Sequence, residues 1–169
     1  MVSIRAIGVI RSPFTTPPGT PIQGVYADGA EGEVILDEEF EAGLADLDGF
    51  ERIWLLCHFD RANPARLRVV PYRDTVERGV FATRAPARPC PIGLSVVRLL
   101  SREGRVLRVA DLDVLDGTPL LDIKPYVPEF DSFPGSRAGW LDRPGRAART
   151  ADDRFSGRPG PADPSQTRQ

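Results

Sequence analysis

Residues 94 to 112, LSVVRLLSREGRVLRVADL, decide how this chain is read. Two runs rich in Leu and Val, Leu94 to Leu100 and Val106 to Leu112, flank Glu103-Gly104. Apolar and β-branched segments on either side of a Gly-containing turn predict two antiparallel strands joined as a hairpin. Working outward, the same pattern recurs. Arg52 to Phe59, RIWLLCHF, is a continuous apolar run with β-formers and reads as a buried strand. Ile4 to Ile10, Glu33 to Leu36, Leu67 to Val70, Val80 to Thr83 and Leu121 to Lys124 read as further short strands. Glu38 to Leu47 is the best helix candidate, with Phe40, Leu44 and Leu47 on one face and Gly49 as its stop. Many short strands between Pro- and Gly-rich loops predict a mainly β barrel or sandwich with short helices. There is no βαβ rhythm and no GxGxxG, so a Rossmann-type cofactor domain is disfavoured.

The 169 residues fit one domain. A chain of that length buries enough surface to fold without disulfides or metal, and it holds only two cysteines, Cys57 and Cys90. No apolar run approaches the roughly 20 residues of a membrane span, and the N-terminus lacks the apolar core of a signal peptide. A soluble cytoplasmic protein, with no membrane partner, is expected. Arg143 to Gln169 holds six Arg against three Asp, four Pro, three Gly and a single aromatic, Phe155. A disordered tail is expected there. That segment carries +3 of a net −2, leaving residues 1 to 142 at −5. An acidic body argues against a generic nucleic-acid coat, so any RNA must meet a local basic patch.

Three segments have compositions that a core does not require. Arg78 to Ser95 contains Pro86, Pro89 and Pro91, which fix φ repeatedly and hold Arg84 and Arg88 in defined directions. Rigid guanidinium groups suit carboxylates or phosphates; a Pro-rich turn with solvated arginines is the plainer alternative. Asp111, Asp113, Asp116 and Asp122 surround the Gly117-Thr118-Pro119 turn. Carboxylates accept from ribose hydroxyls or an ammonium group, whereas Asp-Gly turn chemistry alone accounts for Asp116. Their spacing fits no EF-hand loop, and no metal site is expected. The only His, His58, stands beside Phe59 at a strand end, where a proton acceptor and a ring that stacks on a base are both conceivable.

Together these segments resemble one family. The strings IGVIRSPF (7–14), Pro-x-Gln (21–23), GL-x-DL-x-GFERIW (43–54), HF (58–59), RGVFATR-x-P-x-RP-x-PIGLS (78–95), DLD-x-LDGTP-x-LDIKPY (111–126) and GW (139–140) are similar to the TrmO/TsaA-like (VirR-type) family over about residues 4 to 142. The resemblance implies a single-domain β-barrel methyltransferase fold outside the Rossmann class, over residues 1–142, usually as a homodimer. It implies S-adenosyl-L-methionine bound at or near the subunit interface. The implied reaction is N6-methylation of threonylcarbamoyladenosine at position 37 of a tRNA anticodon loop. It places cofactor contacts at Pro21, Ile22, Gln23, His58, Phe59, Arg84, Gly117, Thr118, Pro119 and Leu120, and substrate contacts at Arg88, Lys124 and Tyr126. His58 or Asp113 is expected to relay the proton that the acceptor nitrogen loses. The family commonly reads Arg-Pro-Asn-Pro-Ile-Gly where Cys90 replaces the Asn here. Two rivals are carried forward: the same cofactor with a small-molecule acceptor, and a non-catalytic S-adenosylmethionine-binding regulator.

Overall fold

A computed structural model describes residues 3–155. Eight strands form: β1 Gly8–Arg11, β2 Glu31–Leu36, β3 Arg52–His58, β4 Arg68–Val69, β5 Arg78–Gly79, β6 Ile92–Glu103, β7 Val106–Ala110 and β8 Thr118–Pro125. Six of them close an antiparallel barrel in the order β1-β2-β7-β6-β3-β8, and β4 and β5 pair separately. The hairpin expected around Glu103-Gly104 is present, with Glu103 opposite Val106 and Gly104 at φ +56°. Only a residue free to adopt positive φ lets so short a turn follow the strand twist.

The apolar run in β3 explains the barrel. Ile53, Leu55 and Cys57 point inward and are fully buried. They join Ile10, Val34, Val97, Leu107, Val109, Leu112 and Leu120 in one core. Trp54 and Leu56 point outward, opposite Val96 and Leu94 of β6. Strands with one face buried alternate; here the outer face of this pair is apolar too.

Several expected elements differ. The expected helix over Glu38 to Leu47 is two 3-10 turns, Glu38–Leu44 and Leu47–Gly49. Asp46 between them is left-handed at φ 65°, which no α-helix accommodates. The apolar face still does its work, since Leu44 is buried and Phe40 and Leu47 pack on the barrel core. Val80 to Thr83 is not a strand. Pairing stops at Gly79, and Val80–Ala82 turns as a 3-10 helix closed by the Thr83 hydroxyl donating to the Val80 carbonyl at 2.9 Å. β6 and β8 extend beyond Leu94–Leu100 and Leu121–Lys124, because ladder pairing carries them further than side-chain pattern alone indicates: Ile92 and Gly93 pair with β3 and Ser101 to Glu103 with β7, while Thr118 and Pro119 pair with β1 and Pro125 with β3.

The C-terminal expectation is corrected over residues 143–155, which pack on the body; residues 156–169 lie outside the described residues. Thr150 forms an antiparallel bridge with Pro21. Ala151 N–H donates to the Thr20 carbonyl at 2.7 Å, and Ile22 N–H donates to the Arg149 carbonyl at 3.0 Å. Phe155 is 6% exposed and sits among Val69, Ala85, Ala87 and Tyr72. One well-buried aromatic and backbone pairing thus anchor a segment whose average composition is polar. Among the described residues no helix is long and apolar enough to cross a membrane.

Candidate functional site

At one end of the barrel the loop before β2, the loop after β3, the Pro-rich loop before β6 and the loop before β8 surround a cavity of about 580 Å³. That size suits a small-molecule ligand. Its shape is set by latches between loops. Ser12 Oγ donates to the Val114 carbonyl at 2.6 Å and Ser12 N–H donates to Asp116 at 3.1 Å. Asp116 N–H donates to the Phe14 carbonyl at 2.7 Å. Phe59 N–H donates to the Pro91 carbonyl at 2.8 Å, tying the end of β3 to the Pro-rich loop.

Of the expected site residues, Pro21, Ile22, Gln23, Phe59, Arg84, Arg88, Asp113 and Thr118 line this cavity together. Arg84 donates to Gln23 Oε1 at 2.5 Å, and Arg88 donates to the Thr83 carbonyl at 3.0 Å. The partners that hold these guanidinium groups are Gln23 and the Thr83 carbonyl. Asp113 accepts from Ser95 Oγ at 2.5 Å. Burial pushes its carboxyl up to about 6, against the opposing pull of hydrogen bonds from Ser95 and the Gly24 backbone and of the Arg84 charge. A carboxylate raised towards neutrality at a cavity wall is the form suited to proton transfer.

The other expected residues are elsewhere. His58 is exposed on the outer face of β3, opposite in direction to Cys57, and is not part of the lining. Leu120 is wholly buried in the barrel core. Gly117, at φ +77°, shapes the turn that presents Thr118. Pro119 follows in β8 outside the lining. Lys124, near the end of β8, and Tyr126, just past it, lie roughly 20–26 Å from Thr118 at about 3.3 Å per residue. There Lys124 pairs with Asp122 at 2.9 Å and Tyr126 packs on Trp54, with ring centroids 5.8 Å apart. The four Asp therefore have separate tasks. Asp111 is clamped by Arg52 and Arg98 at 3.1 and 2.9 Å, which holds its carboxyl below the usual range. Asp116 latches a turn and Asp122 pairs with Lys124, so Asp113 alone of the four faces the cavity. Among the described residues no three His, Cys, Asp or Glu side chains are grouped to hold a metal ion.

The lining also holds residues that sequence reasoning passed over: Asp60, Arg61, Tyr72, Ser95, Ala151 and Phe155. Arg61 donates to Thr118 Oγ1 at 3.2 Å. Ser95 lay within a quoted motif, and a polar residue in an apolar strand was the available signal. Phe155, the lone aromatic of the polar C-terminal segment, was another. Cys90 lines the cavity as an exposed thiol, whereas burial pushes the Cys57 thiol up to about 12 and leaves it inert.

Gly93 sits where β6 meets the cavity, and a Cβ there would overlap the Phe59 ring and the Cys57 sulfur. Gly93→Ala is expected to destabilise the fold by about 1–3 kcal/mol, as overpacking does. It should also displace Phe59 and weaken ligand binding at least several-fold; thermal melts and calorimetric titration check the two effects.

Comparison with known proteins agrees with this geometry. Residues 9–132 match the family model described as the tRNA-methyltransferase O N-terminal domain. A probable S-adenosyl-L-methionine-binding protein of Pyrococcus abyssi is 54% identical over 85% of this chain and 78% of its own length. The tRNA (adenine(37)-N6)-methyltransferase of Escherichia coli is 37% identical over 79% of this chain and 61% of its own. The crystal structure of TrmO from Pseudomonas aeruginosa superposes with a TM-score of 0.70 at 40% identity, covering 82% of this chain and 62% of that one. The chain thus spans about three-fifths of those two bacterial proteins.

Proposed function

Since the chain belongs to the tRNA-methyltransferase O N-terminal domain family, we propose that it is an S-adenosyl-L-methionine-dependent N-methyltransferase acting on threonylcarbamoyladenosine at position 37 of tRNA in the cytoplasm. The observation that carries this reading is the convergence of Gln23, Arg84, Arg88 and Asp113 on one largely apolar cavity of about 580 Å³. The residues fit the cofactor: Phe59 and Ile22 offer apolar surface for an adenine, Thr118 and Gln23 offer polar partners, and Arg84 offers a cation for a carboxylate.

When bound, the sulfonium supplies an electrophilic methyl group, and alignment and exclusion of water are left to the protein. Asp113 accepts the proton that the acceptor nitrogen gives up, and Ser95 fixes the carboxylate in one orientation. Arg84 is held by Gln23 in readiness for an anionic group. The test is incubation of the protein with labelled S-adenosylmethionine and total tRNA from a strain lacking its own such enzyme. Label in threonylcarbamoyladenosine supports the reading. Cofactor binding with unlabelled tRNA would transfer it to a small-molecule acceptor or a regulator.

The same reading includes a homodimer. Trp54 with Val96, and Leu56 with Leu94, pair across the outer face of β3 and β6, with Ile92 beyond. Ile92 and Leu94 are 40% and 44% exposed, and both also border the cavity. A second copy covering this face would bury the apolar pairs and close the cavity mouth. Leu94→Asp is expected to convert a dimer to a monomer in sedimentation experiments and to weaken cofactor binding with it.

A further inference from the structure

A second lobe of about 540 Å³ opens beside the first cavity. The two share Ile22, Gln23, Phe81, Thr83 and Arg84 among their walls, so they form one cleft with a neck. The chemistry of the second lobe differs from that of the first. Asp60 and Asp113 line the first lobe, whereas among the described residues no carboxylate side chain lines the second. Its own walls bring Tyr26, Arg73, Trp140 and Val25 together. Two of these rings are backed by arginine: Arg73 and Arg149 lie 5.9 and 5.3 Å from the centre of Tyr26, and Arg78 lies 5.8 Å from that of Trp140. Arg73 also donates to the Tyr26 hydroxyl at 3.0 Å, while its Nε is buried without a partner among the described residues. Phe81 leaves 76% of its surface exposed at the neck, and Val25 81% at the rim.

Aromatic faces with Arg73 and Arg149 beside them, and no carboxylate among the described lining residues, form a local exception on a body carrying −5 over residues 1 to 142, although Arg78 behind Trp140 is itself paired with Asp74 at 2.8 Å. That combination suits an unstacked nucleobase with its phosphodiester: the ring stacks, the arginines answer the phosphate, and nearby carboxylates would repel it. We propose that the second lobe is the docking site for the flipped-out acceptor nucleotide, with the edge of its base directed through the neck at Gln23 and Arg84. This rests on the tRNA reading above and adds a position for the acceptor, built from residues that no motif assigned to it.

The test separates the lobe from that reading. Binding of a fluorescent tRNA anticodon stem-loop to the full chain is measured with S-adenosylmethionine present, alongside the affinity for S-adenosylmethionine alone. Arg73→Gln and Trp140→Ala remove an arginine and a ring that line only the second lobe. Val25→Glu places a carboxylate at an exposed rim position and guards against a variant that fails to fold. Each is expected to weaken RNA binding about tenfold, to raise KM for the RNA in parallel, and to leave cofactor affinity within twofold. Arg73→Gln should also reduce the salt dependence of RNA binding by about one ion. RNA affinity unchanged in the three variants, or no RNA binding by the wild type, overturns the proposal. RNA binding that responds to the variants without methylation by the wild type would leave the lobe standing and overturn only the methyltransferase reading.

Discussion

Asp113→Asn is expected to lower kcat by about 10²–10⁴-fold, the usual contribution of a positioned acid–base group, and at the same time to make the protein more stable at neutral pH. Both effects come from the same burial. The native carboxyl is raised from 3.8 to about 6 because desolvation outweighs its hydrogen bonds. A group whose folded pKa lies above its unfolded value favours the fold fully below the unfolded value, and that advantage is lost as pH rises through the folded one. Above pH 6 the ionised Asp113 therefore costs on the order of 3 kcal/mol, and a neutral Asn does not incur it. The melting temperature of the variant should exceed that of the wild type at pH 7–8 and converge with it near pH 4. In the wild type, kcat/KM should fall about tenfold per unit below pH 6, as the base is protonated. A variant with full turnover, or one less stable at pH 8, would remove Asp113 from this role. His58, outside the cavity lining of its own chain, is expected to lower kcat far less when replaced.

Deletion of residues 149–169 should raise the dissociation constant for S-adenosylmethionine at least about tenfold while the barrel stays folded. The segment donates from Ala151 to the Thr20 carbonyl and accepts at Arg149 and Ala151 from Ile22 and Gly19, so it holds the Pro21–Gln23 wall by backbone pairing. Ala151 and Phe155 themselves line the cavity. Phe155 also packs edge-on against Tyr72, centroids 5.1 Å apart. Phe155→Ala alone is expected to cost about 3 kcal/mol or more, the range for a buried aromatic, and to reproduce much of the loss of affinity. Deletion from residue 156 onward removes none of these contacts and should leave binding intact. Calorimetric titration of the three proteins, with circular dichroism to follow the barrel, decides the matter. These contacts lie beyond residues 9–132 that match the family model, so this part of the wall belongs to the chain's own C-terminal segment.

The barrel was legible because β3, β6 and β7 are encoded in short-range pattern. Ile53, Leu55 and Cys57 alternate inward, and Gly104 marks the turn between β6 and β7. The 3-10 turns in place of one helix were not legible, since periodicity reports which residues face the core and says little about the hydrogen-bond step that places them there. Lys124 and Tyr126 show the limit of motif reasoning. They stand within the same quoted string as Thr118, yet a strand carries them away from the cavity at about 3.3 Å per residue. Asp111 and Asp113 are two residues apart and have opposite fates. One is held ionised by Arg52 and Arg98, and the other is desolvated beside Ser95.

By itself the sequence determined the β-rich class, the apolar core of the barrel, the Pro-stiffened arginine loop and the family, because these reside in local pattern and in long exact strings. Only the tertiary structure decided that Asp113, rather than His58, faces the cavity. Only it showed that residues 149–155 complete the wall and that an arginine-backed aromatic lobe adjoins the site. The physical reason is the same in each case: burial, desolvation and loop-to-loop pairing depend on distances between residues far apart in the chain, and the order of residues does not state those distances.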